Sequence, residues 1–272
     1  MARYLTSKLV TKLKIGEYNS ILKYVIEDPE LSLEIRTSSV AMVYYKKSKI
    51  LSLHSRRTDP ALLSKGYWKN EEEPLLDLKN PEVYFKSAKR LVDNFTSKKN
   101  NIEFSIQQKI LEDNNSYKNQ FLVIDMEYQF AQDIIKERTK KKTRFDLVAI
   151  DLMNDKIVLF ELKQGFSSSE GNSGVSDHLI KYQEHINHPE FSKLLISDIK
   201  RVIDQKGQLG IFKFDIMPIV HKLDNTSIEF NIVFAYKSIE EKERYLNKYG
   251  KHNKTLFVNI LDSNYTLRED EL

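Results

Sequence analysis

Three apolar-rich runs in the middle of the chain, residues 121–130 (FLVIDMEYQF), 144–151 (RFDLVAID) and 156–165 (KIVLFELKQG), read as strands that each carry acidic residues. Asn154-Asp155, between the second and third, suits a tight reversal, so the simplest reading is a hairpin with a two-residue loop. A longer loop of the same parity is the fallback. Pairing Met153 with Lys156 sets Val148 opposite Glu161 and Asp146 opposite Lys163, and the two-residue period then places Asp146, Glu161 and Lys163 on one face. A slip of one residue would send the two carboxylates to opposite faces. In the first run, Asp125, Glu127 and Gln129 alternate with Met126, Tyr128 and Phe130, the pattern of a strand that starts buried and then exposes one polar edge.

Elsewhere the pattern predicts a helix over residues 18–27, stopped at Asp28-Pro29, and then period two. Leu33 and Ile35, followed by Val40, Met42 and Tyr44, fall on one side of an extended chain, and residues 50–54 return, giving a small antiparallel sheet. Tyr67-Trp68 reads as a loop packed on the core, with base stacking as the alternative. Helices follow after Pro81 and over residues 102–111. The polar stretch 112–119 (EDNNSYKN) marks the best boundary, so residues 1–115 read as an α+β module for substrate or partner binding and residues 116–272 as the part that does chemistry. That second part continues with a linker at 166–174, helices over 175–187 and 190–204, strands over 211–220 and 227–236, a charged helix over 239–249 and a last strand over 255–261. Strands alternating with helices favour an α/β fold with mixed pairing.

Composition narrows the chemistry. With no cysteine among 272 residues, disulfides, thiol nucleophiles and cysteine-ligated metals are excluded, which fits a cytoplasmic protein. No signal peptide and no apolar run near ~18 residues is present, so neither export nor a membrane partner is expected. The net charge of +4 is mild, but basic residues cluster at 136–144 (KERTKKKTR), at His54-Ser55-Arg56-Arg57 and at 86–90. The first of these leads directly into the strand bearing Asp146, where a positive field would draw a polyanion toward carboxylates. Neither a phosphate-binding glycine loop nor a nucleophile elbow is found.

Paired carboxylates on adjoining strands suit a hard divalent cation, with the Leu162 carbonyl as a further oxygen ligand and Glu127 completing the cluster if its strand abuts the hairpin. Lys163 is placed to orient the attacking water and to stabilise negative charge. His178, His185 and His188 form an alternative, weaker set of zinc ligands, interrupted by Pro189.

Asp146, fourteen residues, and then Glu161-Leu162-Lys163 resembles the bipartite motif of the PD-(D/E)XK nuclease superfamily. The resemblance spans roughly residues 120–236 and departs from the nominal pattern in having Arg144-Phe145 before the aspartate rather than a proline, a variation the superfamily tolerates. It implies a restriction-endonuclease-like fold with a mixed central sheet flanked by helices. It also implies Mg²⁺ (or Mn²⁺) held by Asp146 and Glu161, often with an extra acid such as Glu127, and a lysine, Lys163, that serves the water. Residues 179–183 (LIKYQ) resemble the helix on which many such nucleases carry a tyrosine or glutamine, which makes Tyr182 and Gln183, with His178 at the helix start and Arg144 before the motif, candidate substrate contacts. The implied activity is divalent-metal-dependent phosphodiester hydrolysis of nucleic acid, DNA before RNA, in a setting such as defence, repair or mobile-element processing. A homodimer would suit cutting of two strands, though no interface is legible. The alternative is a catalytically silent nucleic-acid- or protein-binding module on the same scaffold.

Overall fold

A computed structural model describes residues 3–69, 71–97, 102–129, 144–171, 174–250 and 254–269. The basic tract at 136–143 and the segment after residue 129 lie outside the described residues. The chain forms two compact units, one of Met1–Gln108 with Arg201–Asp215, the other of Lys109–Lys200 with Ile216–Leu272.

In the first unit, α1 (Ser7–Lys14), α2 (Asn19–Glu27) and α3 (Glu82–Ser97) surround an antiparallel sheet β1 (Ser32–Arg36), β2 (Val40–Tyr45) and β3 (Ser48–His54), in that order. Leu33 pairs with Val43 and Ile35 with Ala41, so the core face of β2 is Ala41, Val43 and Tyr45. The expected face, Val40, Met42 and Tyr44, is the other one: Met42 and Tyr44 are only half-buried, and the Arg36 guanidinium lies over the Tyr44 ring. Cross-strand partners decided a parity that β2, with four aliphatic residues followed by two tyrosines, left open. Trp68 packs against this core and donates Nε1 to the Leu63 carbonyl at 3.1 Å.

The second unit holds a five-stranded mixed sheet in the order β4 (Phe121–Gln129), β5 (Arg144–Asp151), β6 (Lys156–Gln164), β7 (Ile228–Tyr236), β8 (Thr255–Asn259). The first three strands are antiparallel, while β6, β7 and β8 run parallel. Helices α4 (Glu103–Asp113) through α9 (Ile239–Tyr249) follow the chain around it, and α6 (Val175–Ile186) and α9 share a core with β7 through Val175, Ile232, Phe234 and Tyr245. The unit is thus an α/β fold, a mixed sheet flanked by helices. Among the described residues no helix is long and apolar enough to cross a membrane.

Two sequence expectations change here. Residues 211–220 form no strand: the run passes through a loop into α8 (Met217–Lys222), with Pro218 in its first turn, where a missing N–H costs a helix nothing. The linker at 166–174 begins as a short helix, α5 (Gly165–Ser168).

The polar stretch after α4 also has a structural task. Asn114 is fully buried; its Nδ2 donates to the carbonyls of Ile110 at 2.7 Å and Tyr265 at 2.9 Å, and its Oδ1 accepts from the Leu267 N–H at 2.7 Å. It clamps the C-terminal segment onto the end of α4. Asn114→Ala would leave those backbone groups buried without their partner, so we expect a loss of about 2–4 kcal/mol in urea unfolding. An unchanged midpoint would show the clamp to be dispensable.

Candidate active site

The turn between β5 and β6 sets the site. Asp151, fully buried, accepts from the N–H groups of Met153 (3.0 Å) and Asn154 (3.1 Å) on Oδ1 and from Asn154 Nδ2 (2.8 Å) on Oδ2. This side-chain cap builds a turn over residues 152–155, with Asp155 left-handed (φ 53°), and pairs Asp151 with Lys156. The two-residue loop expected from Asn154-Asp155 is therefore replaced by the longer one, and the register moves by two. Parity survives the move. Continuing the Leu147–Phe160 pair by one step puts Asp146 in line with Glu161 rather than with Lys163.

Regular pairing of β5 with β6 stops at Leu147–Phe160, although both strands continue. Ile157 sends its N–H toward β7, to the Ser227 carbonyl, so Leu162, of opposite parity, addresses β5. Its N–H meets the Asp146 carboxylate there, at 2.9 Å from Oδ2. A side-chain oxygen thus occupies the gap where the strands splay, and the Leu162 carbonyl, which shares the direction of its N–H within a strand, points to the same side.

Glu161 and Lys163 are both buried, and Lys163 Nζ donates to Glu161 Oε1 at 2.9 Å. Helix α6 closes over the pair. His178 Nδ1 lies 3.0 Å from Glu161 Oε1, and the Tyr182 hydroxyl lies 3.1 Å from Glu161 Oε2, 3.1 Å from His178 Nδ1 and 3.0 Å from the Arg144 carbonyl. The Tyr182 ring is wedged between Phe145 and Phe230, which fixes where its hydroxyl can reach. Burial pushes the Tyr182 phenol up, and the charges of Glu161 and then Asp146 push it further, so it remains a proton donor at any working pH. For Glu161 the balance is opposite. Burial alone would raise its carboxyl, but the His178 hydrogen bond and the Lys163 charge outweigh it and hold the group below the ordinary carboxylate range.

A pH dependence follows from that shift. A carboxyl whose folded pKa is depressed stabilises the fold above its unfolded value, and the contribution disappears as pH falls through the folded value. In chelator, the stability difference between wild type and Glu161→Gln should therefore shrink from neutral pH to about pH 3. A difference that grows on acidification would contradict the assignment.

Glu127 falls in line with Asp146 between the pairs Met126–Leu147 and Tyr128–Phe145. Its backbone is left-handed (φ 54°), a conformation that costs a residue with a Cβ about 1–2 kcal/mol. Its carboxylate forms an ion pair with Arg144 at 2.8 Å. A bulge between Val123 and Asp125 precedes it, and of the polar edge expected on this strand only Gln129 is exposed, with Asp125 fully buried and Glu127 nearly so. Period two could not show this, because a bulge and a left-handed residue both change the direction in which later side chains emerge.

Of the residues singled out by sequence, the structure gathers Lys163, His178 and Tyr182 about the Glu161 carboxylate, with Asp146 held on the Leu162 N–H of the strand that carries Glu161 and Arg144 paired with Glu127. Gln183 is not gathered; it is exposed and donates to Asn187. His178 and Tyr182 hold Glu161 rather than facing outward. Glu241 is a residue that sequence reading missed: its carboxylate accepts from Phe166 N at 3.1 Å and Lys237 N at 2.9 Å, tying together the ends of β6 and β7. Gly165, left-handed at φ 69°, leaves room for it, since a Cβ there would come within 2.9 Å of Glu241 Oε1. No sequence signal links residue 241 to residue 165.

Among the described residues, no three His, Cys, Asp or Glu side chains stand close enough together to cage a metal ion. The oxygen donors on hand are the Asp146 and Glu161 carboxylates and the Leu162 carbonyl, and both Glu161 oxygens already accept hydrogen bonds; Mg²⁺ is commonly held by one or two carboxylates and keeps several of its waters. Compared with known proteins, the chain matches no family model, no curated protein and no solved structure.

Proposed function

We propose that this chain is a metal-dependent nuclease of the PD-(D/E)XK, restriction-endonuclease-like kind, hydrolysing phosphodiester bonds in nucleic acid, with DNA the first substrate to test. The observation that carries the reading is the Asp146 carboxylate on Leu162 N–H, in line with Glu161 and beside Lys163. An α/β unit with a mixed sheet flanked by helices is the architecture that such a motif implies.

In this reading Asp146, Glu161 and the Leu162 carbonyl would hold Mg²⁺ or Mn²⁺, which supplies charge to acidify a water and to offset charge on the phosphate. Lys163 contributes a fixed cation that orients water and neutralises the phosphate oxygens. Tyr182 and His178 set the direction of the Glu161 carboxylate, the positioning that such partners of a metal ligand provide. Glu127 stands one strand further out, its charge balanced by Arg144.

A second reading is favoured by one feature. Lys163, His178 and Tyr182 already engage both oxygens of Glu161, an arrangement stable without any cation, as expected for a silent binding module. Calorimetry with Mg²⁺ and Mn²⁺ separates the two when joined to cleavage assays on single- and double-stranded DNA and RNA. The nuclease binds the ion, loses at least about tenfold in affinity on Asp146→Asn, and yields products that EDTA abolishes. Binding of nucleic acid with no ion dependence and no product would establish the module.

A further inference from the structure

The first unit contains a cavity of about 590 Å³ lined by Tyr4, Thr6, Ser38, Ser39, Val40, His54, Ser55, Arg56 and Arg57. Its volume is within the range of small-ligand sites, roughly 300–1,000 Å³. Its lining is chemically one-sided, with two guanidinium groups, an imidazole, four aliphatic hydroxyls and a phenol, and no carboxylate. Among the described residues neither Arg56 nor Arg57 has a carboxylate partner, whereas Lys86, Lys89 and Arg90 of the 86–90 cluster each meet an acid.

Three elements converge to build it. The β1–β2 turn carries Ser38 and Ser39, both left-handed at φ 63° and φ 57°, a conformation for which glycine or asparagine is the usual choice. Ser39 is buried, and its Oγ accepts from the Thr6 N–H at 2.8 Å and lies 3.1 Å from Thr6 Oγ1, so the turn is tied to the residue that opens α1. Helix α1 has no acidic residue in its first turn, which leaves the positive end of its dipole unopposed. The end of β3 delivers His54 and the two arginines. Burial, and after it the charges of Arg57 and Lys49, hold the His54 imidazole below its ordinary range.

We infer that this cavity binds the phosphate group of a small, nucleotide-sized ligand. Arg56 and Arg57 present planar forks that match phosphate oxygens, and the Ser55 hydroxyl with the His54 ring completes a set of donors. Tyr4, 43 % exposed, stands at the cavity as a ring on which a base can stack. A bounded cavity within one unit favours a small ligand over a polymer, whose backbone asks for an extended groove. The inference stands apart from the proposed nuclease site, and none of its residues belongs to that site.

The test is calorimetric titration of the full chain with inorganic phosphate, with adenosine 5′-monophosphate and with an oligonucleotide lacking terminal phosphates. Wild type is compared with Arg56→Ala, Arg57→Ala, the double variant and Glu161→Gln. Both arginines are exposed, so the variants are expected to fold, and circular dichroism checks this. The expected result is saturable binding of the monophosphate, and more weakly of phosphate, that falls about tenfold for each arginine removed and is unchanged in Glu161→Gln. The inference is overturned if neither small phosphate binds, if binding is indifferent to both arginines, or if only the oligonucleotide depends on them. A nuclease reading that fails while the monophosphate still binds leaves this inference standing, and the reverse outcome is equally legible.

Discussion

Glu161→Gln protein is expected to cleave nucleic acid on the order of 10²–10³-fold more slowly than the parent in Mg²⁺, with a retained fold. The substitution keeps the shape of the side chain, removes its charge and turns one acceptor oxygen into an N–H₂ donor. Lys163, His178 and Tyr182 converge on that carboxylate, so its charge sets the electrostatics of the whole group. Tyr182→Phe is the graded companion: it leaves the charge and deletes one contact to Oε2, so a fall of about tenfold to a hundredfold is expected, as for other residues that orient a metal ligand. Single-turnover assays with labelled duplex measure both. Cleavage by Glu161→Gln at the parental rate would remove the residue from the chemistry and leave Lys163 without its assigned role.

Lys206→Met is expected to cause a large loss of stability. Glu34 is fully buried on β1 and Lys206, nearly as buried, meets its Oε2 at 2.8 Å. Removing the lysine takes the nearest cation away from a fully buried carboxylate, and breaking a buried pair typically costs about 3–5 kcal/mol. The lower end applies, because Arg36 Nη1 lies 4.0 Å from the same oxygen and retains part of the compensation. Replacing both partners, Glu34→Leu with Lys206→Met, should recover most of the loss, since a matched apolar pair incurs no charge-burial cost. Equilibrium urea unfolding of the two variants decides it. A single variant as stable as the parent would mean that the buried carboxylate is neutralised by other means.

Much of the second unit was legible from local pattern. Runs of β-branched and aromatic residues marked β4, β5, β6 and β7, and helical spacing marked α6, α7 (Pro189–Gln208) and α9. Parity along β5 and β6 also sufficed to bring Asp146 and Glu161 onto one face, because a two-residue shift preserves the face on which each side chain emerges. The absolute register was not legible. It depends on Asp151 turning its carboxylate back onto three donors, and nothing local distinguishes that from a tight Asn-Asp turn. The run 211–220 misled for a related reason, since alternating phenylalanines imitate a strand until Pro218 opens a helix.

From sequence alone came the elements, the alternation that places two acids and a lysine at neighbouring positions, and the chemistry those residue types allow. Tertiary structure decided which groups engage the acids: His178 and Tyr182 on Glu161, Arg144 on Glu127, and a backbone N–H on Asp146. It also decided that Arg201–Asp215 belongs to the first unit, with Lys206 neutralising Glu34. The division has one physical cause. Backbone geometry repeats over two or four residues and can be read from neighbours, whereas the partner of a buried charge is chosen by desolvation, which acts between residues brought together only when the chain has folded.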